Sequence, residues 1–171
     1  DILAGPLDAR RFALIYAGAQ KNLGPAGATI VIARTEFLDR APQSIPAILR
    51  YATHARANSL YNTPPSFAVY LIALTLRWIE EQGGLATMAG RNRRKAETLY
   101  NAIDASGGFY RGHAEPADRS LMNVTFRLPT ATDEHAFLSA AGAAGFVGLA
   151  GHRSVGGIRA SLYNAMTIEG C

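Results

Sequence analysis

Cysteine occurs once in 171 residues, as Cys171, which excludes an internal disulfide framework and is compatible with a reducing compartment. Long apolar runs are missing as well. None approaches the ~20 residues that cross a bilayer, and the first residues carry neither a basic n-region nor a signal-peptide core, so the cytoplasm is the expected compartment and no membrane partner is expected. Metal-ligand spacing is lacking: His54, His113 and His135 stand in no such relation to one another or to a cysteine. They are read as structural or exposed, and no metal is expected. The chain also has no Gly-x-Ser-x-Gly run, no Cys–His pairing, no internal repeat and no low-complexity tract, which removes the familiar hydrolase signatures. The net charge of +4 and pI near 9.5 suit an anionic ligand. The one dense basic run, Arg91, Arg93, Arg94 and Lys95, falls on a predicted helix without interleaved aromatics, and is read as a solvated face rather than a nucleic-acid surface.

What is present is enough for a core. With 171 residues and 49% hydrophobic content, the chain fits one domain, or one domain with part of another, and the second is the reading adopted. Its cations are nearly all arginine: fifteen, against two lysines. Lys21 lies in the run Tyr16-Ala-Gly-Ala-Gln-Lys-Asn-Leu-Gly-Pro-Ala-Gly27 between two β-like segments. An arginine keeps its proton in a protein, whereas a lysine amine can be desolvated, deprotonated and used as a nucleophile. A loop lysine alone reads as a solvated charge. The apolar flanks and the small residues Ala17, Gly18, Ala19, Gly24 and Gly27 favour the chemical reading.

Residues 12–16 and 29–33 read as strands flanking the lysine turn, the second rich in β-branched side chains. A short helix is predicted over 35–40 with Thr35 as N-cap, followed by a long irregular stretch over 41–61 that contains Pro42 and Pro46. Apolar residues at Phe67, Tyr70, Leu71, Leu74, Trp78 and Ile79 predict a helix over 66–82, begun by Thr63-Pro-Pro and ended by Gly83-Gly84. A second helix is predicted over 85–105, and Gly107-Gly108 marks the expected domain boundary. Beyond it, a small α+β pattern follows: strand 121–128 with alternating Met122, Val124, Phe126 and Leu128, a helix from Thr132 to about Gly145, and strands 146–150 and 158–163.

Two polar groups stand out. Asn62 and Thr63 precede Pro64-Pro65 at a helix start, where an ordinary N-cap and an anion site are both open readings. His152, Arg153 and Arg159 surround the Gly156-Gly157 turn, which is expected to bring two guanidinium groups onto neighbouring strands. Such a pair suits a dianion with two ends, because arginine forks bind carboxylate or phosphate bidentately; a pair of surface arginines with a solvent histidine is the plain alternative.

The runs Gly18-Ala-Gln-Lys-Asn-Leu-Gly-Pro-Ala-Gly27, Tyr61-Asn-Thr-Pro-Pro-Ser-Phe67 and Gly151-His-Arg-Ser-Val-Gly-Gly-Ile-Arg-Ala-Ser-Leu-Tyr-Asn-Ala-Met166 resemble, in order and spacing, those of the phosphoserine aminotransferase family. Its members are fold-type I enzymes that use pyridoxal 5′-phosphate, and the resemblance runs from Asp1 to Cys171. It implies an α/β chain that is a fragment: the late part of the large cofactor domain over 1–106, and most of the small α+β domain over 107–171. The ring-stacking residue, the pyridine-facing Asp and part of the phosphate cup are then expected upstream of Asp1, and a terminal helix downstream. The fragment alone is expected to be inactive.

The resemblance further implies that Lys21 attacks the cofactor aldehyde and shuttles a proton, that Gln20 contacts the cofactor, and that Asn62 and Thr63 reach the cofactor phosphate of the neighbouring subunit in a homodimer. It assigns the substrate α-carboxylate to Arg159, and the distal phosphate or γ-carboxylate to His152 and Arg153. The implied reaction exchanges an amino group between phosphoserine with 2-oxoglutarate and 3-phosphohydroxypyruvate with glutamate, in serine synthesis, with phosphorylated 4-hydroxythreonine of pyridoxine synthesis as a possible second substrate. The rivals are another fold-type I enzyme and a non-catalytic interaction module on the same fold. A desulfurase is disfavoured by the lack of an internal cysteine, and the module by the intact lysine loop.

Overall fold

The computed structural model describes residues 1–171. Its contacts divide the chain into two compact units, Ile2–Gly84 and Leu85–Cys171. The sequence places the boundary at Gly107-Gly108 instead. The difference is the long helix between the two positions, whose residues Ala96, Tyr100 and Ile103 belong to the core of the later unit.

In the first unit, β1 (Leu14–Gly18) and β2 (Thr29–Ala33) form a two-stranded antiparallel ribbon, with Leu14 opposite Ala33 and Gly18 opposite Thr29. β2 has its predicted bounds, while β1 begins two residues later than predicted. The short helix α1 (Thr35–Leu38) has Arg34 as its N-cap residue and no side-chain cap bond, so Thr35 opens the helix instead of capping it. The stretch 41–61 is more regular than expected. It contains a 3-10 turn at Ala47–Leu49 and the helix α2 (Tyr51–Arg56). Pro46 stands at the N-cap of that turn, a place where a missing N–H costs little; proline there starts structure rather than interrupting it.

Helix α3 (Ser66–Glu81) buries Ala68, Ile72 and Ile79 on one stripe. Beyond it, Gly83 and Gly84 take φ of 96° and 75°, values that glycine reaches without steric cost. The unit's core is thin: Ala19, Leu23 and Ile72, with Ile2, Leu3, Ala17, Ala28 and Ile30 packed around them.

From Leu85 on, α4 (Gly84–Asp104) belongs to the second unit, and its buried residues Met88, Asn92, Lys95, Ala96, Tyr100 and Ile103 recur at helical spacing. Lys95 therefore departs from its reading as part of a solvated face: it is 1% exposed. Against this stripe packs a three-stranded antiparallel sheet in the order β3 (Arg111–Gly112), β4 (Asn123–Arg127), β5 (Ile158–Ser161). The alternation read along 121–128 places Met122, Val124, Phe126 and Leu128 all in the core. Val124 faces Ala160 and Thr125 faces Arg159.

Helix α5 (Ala131–Ala143) starts from a capping box in which Thr130 and Asp133 exchange side-chain and backbone bonds, one step before the predicted Thr132. The predicted strand 146–150 does not form. Gly145 and Gly148 take φ of 90° and 74° and turn the chain, leaving Phe146 and Val147 exposed and Ala150 in a single bridge with Ile158. No helix is long and apolar enough to cross a membrane.

Candidate active site

The lysine loop joins β1 to β2 and is fastened from beneath. The Ala19 N–H donates to the Ala28 carbonyl at 3.0 Å, the Lys21 N–H to Ala19 at 2.7 Å and the Gly24 N–H to Lys21 at 3.2 Å. Ala19, Asn22 and Leu23 are buried, and the Asn22 amide donates to the Ile2 carbonyl at 3.2 Å. Lys21, between these anchors, is exposed. Gly24, at φ 135°, lets the loop lie against α3: a Cβ there would stand 3.4 Å from Thr75 Oγ1 and 3.7 Å from Ile72 Cγ1. Gly18 leaves room for Gln20, whose Oε1 lies 2.5 Å from where a Cβ of residue 18 would be. The small residues thus serve a purpose visible in the geometry: they seat the loop on which Lys21 stays exposed.

Asn62 and Thr63 are exposed and precede α3 in the same unit. The N-cap of α3 is Pro65, with no side-chain cap bond, so the N-cap reading of Thr63 is corrected. Proline at the cap displaces Thr63 too far upstream to serve the first helical N–H groups. The preceding segment is braced, since His54 Nε2 donates to the Ile48 carbonyl at 2.8 Å and its ring meets that of Tyr61 edge-on at 5.8 Å. Gln20, Lys21, Asn62 and Thr63 lie in the first unit, and His152, Arg153 and Arg159 in the second.

Arg159 projects from β5 opposite Thr125. Its Nε is buried and has no partner, and an unmatched buried donor of a cation is costly unless an acceptor comes to it. His152 and Arg153 sit in the loop 151–157. The Gly151 N–H donates to the Gly157 carbonyl at 2.8 Å, and those of Val155 and Gly156 donate to the His152 carbonyl at 2.8 and 2.7 Å. His152 Nδ1 lies 2.7 Å from Ser154 Oγ. Arg153 is therefore on a turn, not on a strand neighbouring β5, which corrects the expected pairing of two strand-borne guanidinium groups.

A cavity of about 140 Å³ opens here, lined by His113, Arg127, Gly151, His152, Gly156 and Arg159 among others. The sequence does not single out His113 or Arg127 as site residues; His113 is exposed, in agreement with its reading as structural or exposed, and also borders this cavity. His113 follows β3, a strand of two residues, and its N–H donates to the Thr125 carbonyl at 3.2 Å; so short a strand leaves no periodic signal.

The model for aminotransferase class-V matches residues 1–171. The phosphoserine aminotransferase of Herpetosiphon aurantiacus is 62% identical over 170 residues, covering 99% of this chain and 47% of the relative. Among solved structures, phosphoserine aminotransferase from Bacillus circulans subsp. alkalophilus superposes with a TM-score of 0.97 at 54% identity, over 100% of this chain and 47% of the other. The PLP-bound phosphoserine aminotransferase from Trichomonas vaginalis gives 0.92 at 37% identity, over 99% and 48%. The chain spans about half the length of the curated relatives it matches. By this match over its whole length and by these relatives, the chain belongs to the class-V aminotransferase family.

Proposed function

We propose that this chain is part of a phosphoserine aminotransferase, transferring an amino group between O-phospho-L-serine and 2-oxoglutarate in serine synthesis. The observation that carries the reading is the exposed Lys21 on a loop pinned by buried Ala19, Asn22 and Leu23. The names of the relatives support the substrate, and the PLP-bound relative supports the cofactor. The residues present fit pyridoxal phosphate: an exposed lysine on a fastened loop, Gln20 folded over Gly18 beside it, and exposed Asn62 and Thr63 for phosphate oxygens.

Bound pyridoxal phosphate would supply an aldehyde for the substrate amine and a ring that withdraws the electron pair left when the α-proton departs. Lys21 would hold that aldehyde between turnovers, and its Nζ would carry the proton that leaves the substrate α-carbon. Arg159 grips the α-carboxylate through its fork, with the buried Nε supplying one donor. His152 and Arg153 bind the distal phosphate of phosphoserine or the γ-carboxylate of glutamate, so one pocket serves both half-reactions. Asn62 and Thr63 bind the cofactor phosphate of a second subunit, which makes a cytoplasmic homodimer the working form. Phosphorylated 4-hydroxythreonine, with the same two acidic ends, is a second substrate of this pocket.

The test uses the full-length protein. Lys21→Ala should lose the visible absorbance of the bound cofactor and lower phosphoserine-dependent glutamate formation by at least about 100-fold, and Lys21→Arg should do no better. Substantial turnover in the alanine variant would remove Lys21 from its role.

A further inference from the structure

We infer that Arg127 is a positioning residue that braces the loop 151–157, and so sets where His152 and Arg153 meet the distal acid of the substrate. This role rests on the proposed function. Arg127 closes β4, and its Nη2 donates to the Val155 carbonyl at the crest of the loop. Its Nη1 lies 3.6 Å from Oε1 of Glu134 in the first turn of α5. The same Glu134 oxygen accepts the Leu128 N–H at 3.4 Å. One planar guanidinium thus ties the loop to the start of a helix, a span that a point-charge ammonium does not match.

The loop is shaped to receive it. A Cβ on Gly151 would fall 1.9 Å from the Gly156 carbonyl oxygen, so the chain crosses itself there with no room for a side chain. Gly156 and Gly157 take φ of 75° and 73°; a Cβ on Gly156 would stand 3.3 Å from Arg127 Nη2, and one on Gly157 2.9 Å from the Phe126 carbonyl oxygen and 3.3 Å from Arg127 Cδ. The glycine pair leaves the space that the Arg127 side chain fills. The loop's other bonds, from Gly151 to Gly157 and from Val155 and Gly156 to His152, close it upon itself and do not fix it to α5. One end of the Arg127 fork donates to the Val155 carbonyl and the other pairs with Glu134, which assigns it to holding the loop and leaves the substrate to His152 and Arg153. Val155 and Arg153 are exposed, so the brace orders a surface loop and does not support the core.

The experiment compares wild type, Arg127→Met, Arg127→Lys and Glu134→Gln in the full-length holoenzyme, with phosphoserine, glutamate and L-alanine as amino donors. Alanine has an α-carboxylate but no distal acid. Arg127→Met should raise KM for phosphoserine and for glutamate about tenfold with kcat nearly unchanged, while kcat/KM for alanine stays within about twofold. Arg127→Lys should recover part of the loss, because it reaches one acceptor at a time. Glu134→Gln keeps an acceptor for Leu128 and should raise the same two KM values about threefold, which serves if Arg127→Met does not fold. Unchanged KM values in Arg127→Met, beside a wild type that uses phosphoserine, overturn the brace alone. An equal loss on all three donors also overturns it, as the mark of a structural defect. A wild type active on alanine but not on phosphoserine or glutamate overturns the functional reading, and this role with it.

Discussion

Lys95 shows what a single residue can hide from the sequence. It falls in a basic run, yet it also falls on the stripe of Met88, Asn92, Ala96 and Tyr100, and the stripe decides its place. Its Nζ donates to the carbonyls of Leu162 and Tyr163, each at 2.8 Å, while Asn92 donates to Asn164 at 2.8 Å. Together these bonds hold the segment that follows β5 and Arg159. Lys95→Met leaves the two carbonyls without their donor and should destabilise the protein by about 1–3 kcal/mol, measured by denaturant unfolding. Burial pushes the Lys95 amine below its ordinary 10.5, with Cys171 acting in the opposite sense. The burial penalty is then fully present while both states are protonated. As pH rises toward 10.5 the unfolded chain retains a proton that the folded chain has released, so wild-type stability gains. The neutral amine keeps N–H groups for both carbonyls, and the gap between wild type and Lys95→Met should widen between pH 7 and pH 10. A gap that narrows would contradict this sign.

At the scale of elements, the sequence was legible wherever a face is buried. The alternation Met122, Val124, Phe126, Leu128 is a direct imprint of packing on β4; the spacing from Phe67 to Ile79 gives the extent of α3, although the residues it buries are Ala68, Ile72 and Ile79, with Phe67 and Tyr70 exposed. Legibility fails where turn geometry overrides composition. The apolar run Phe146-Val147 reads as a strand, but the left-handed glycines on either side prevent pairing. Prolines suggested a featureless 41–61, though Pro46 begins a turn that leads into α2. In the candidate site the same division holds: the lysine loop was readable from its small residues, and Arg127 and Arg159 fall on strands the alternation shows, while His113 reaches the cavity through the two-residue strand β3. The capping proline at 65, which takes Thr63 out of helix-capping duty, is likewise invisible until the helix start is seen.

At the scale of the molecule, the two units are unequally provisioned. The later one gathers nine buried residues around its sheet, with Phe137, Leu138 and Leu149 packed against them. The earlier one clusters three, and exposes Tyr16, Val31, Ile32, Phe67 and Tyr70; its ribbon has two strands, marginal in water without further support. Residues 85–171 alone should therefore unfold in one cooperative transition by circular dichroism. Residues 2–84 alone should stay largely unfolded or self-associate in sedimentation, and a soluble, cooperatively folded 2–84 would contradict the comparison. The burial of Lys95 also decides the surface chemistry of the chain. With fifteen arginines and two lysines, one of them 1% exposed, these 171 residues offer a single accessible side-chain amine, Lys21. An amine-directed acylating reagent should therefore label one side chain, found by peptide mass spectrometry. In the full-length holoenzyme, pyridoxal phosphate should protect that position, making reagent accessibility at Lys21 a direct meter of cofactor occupancy.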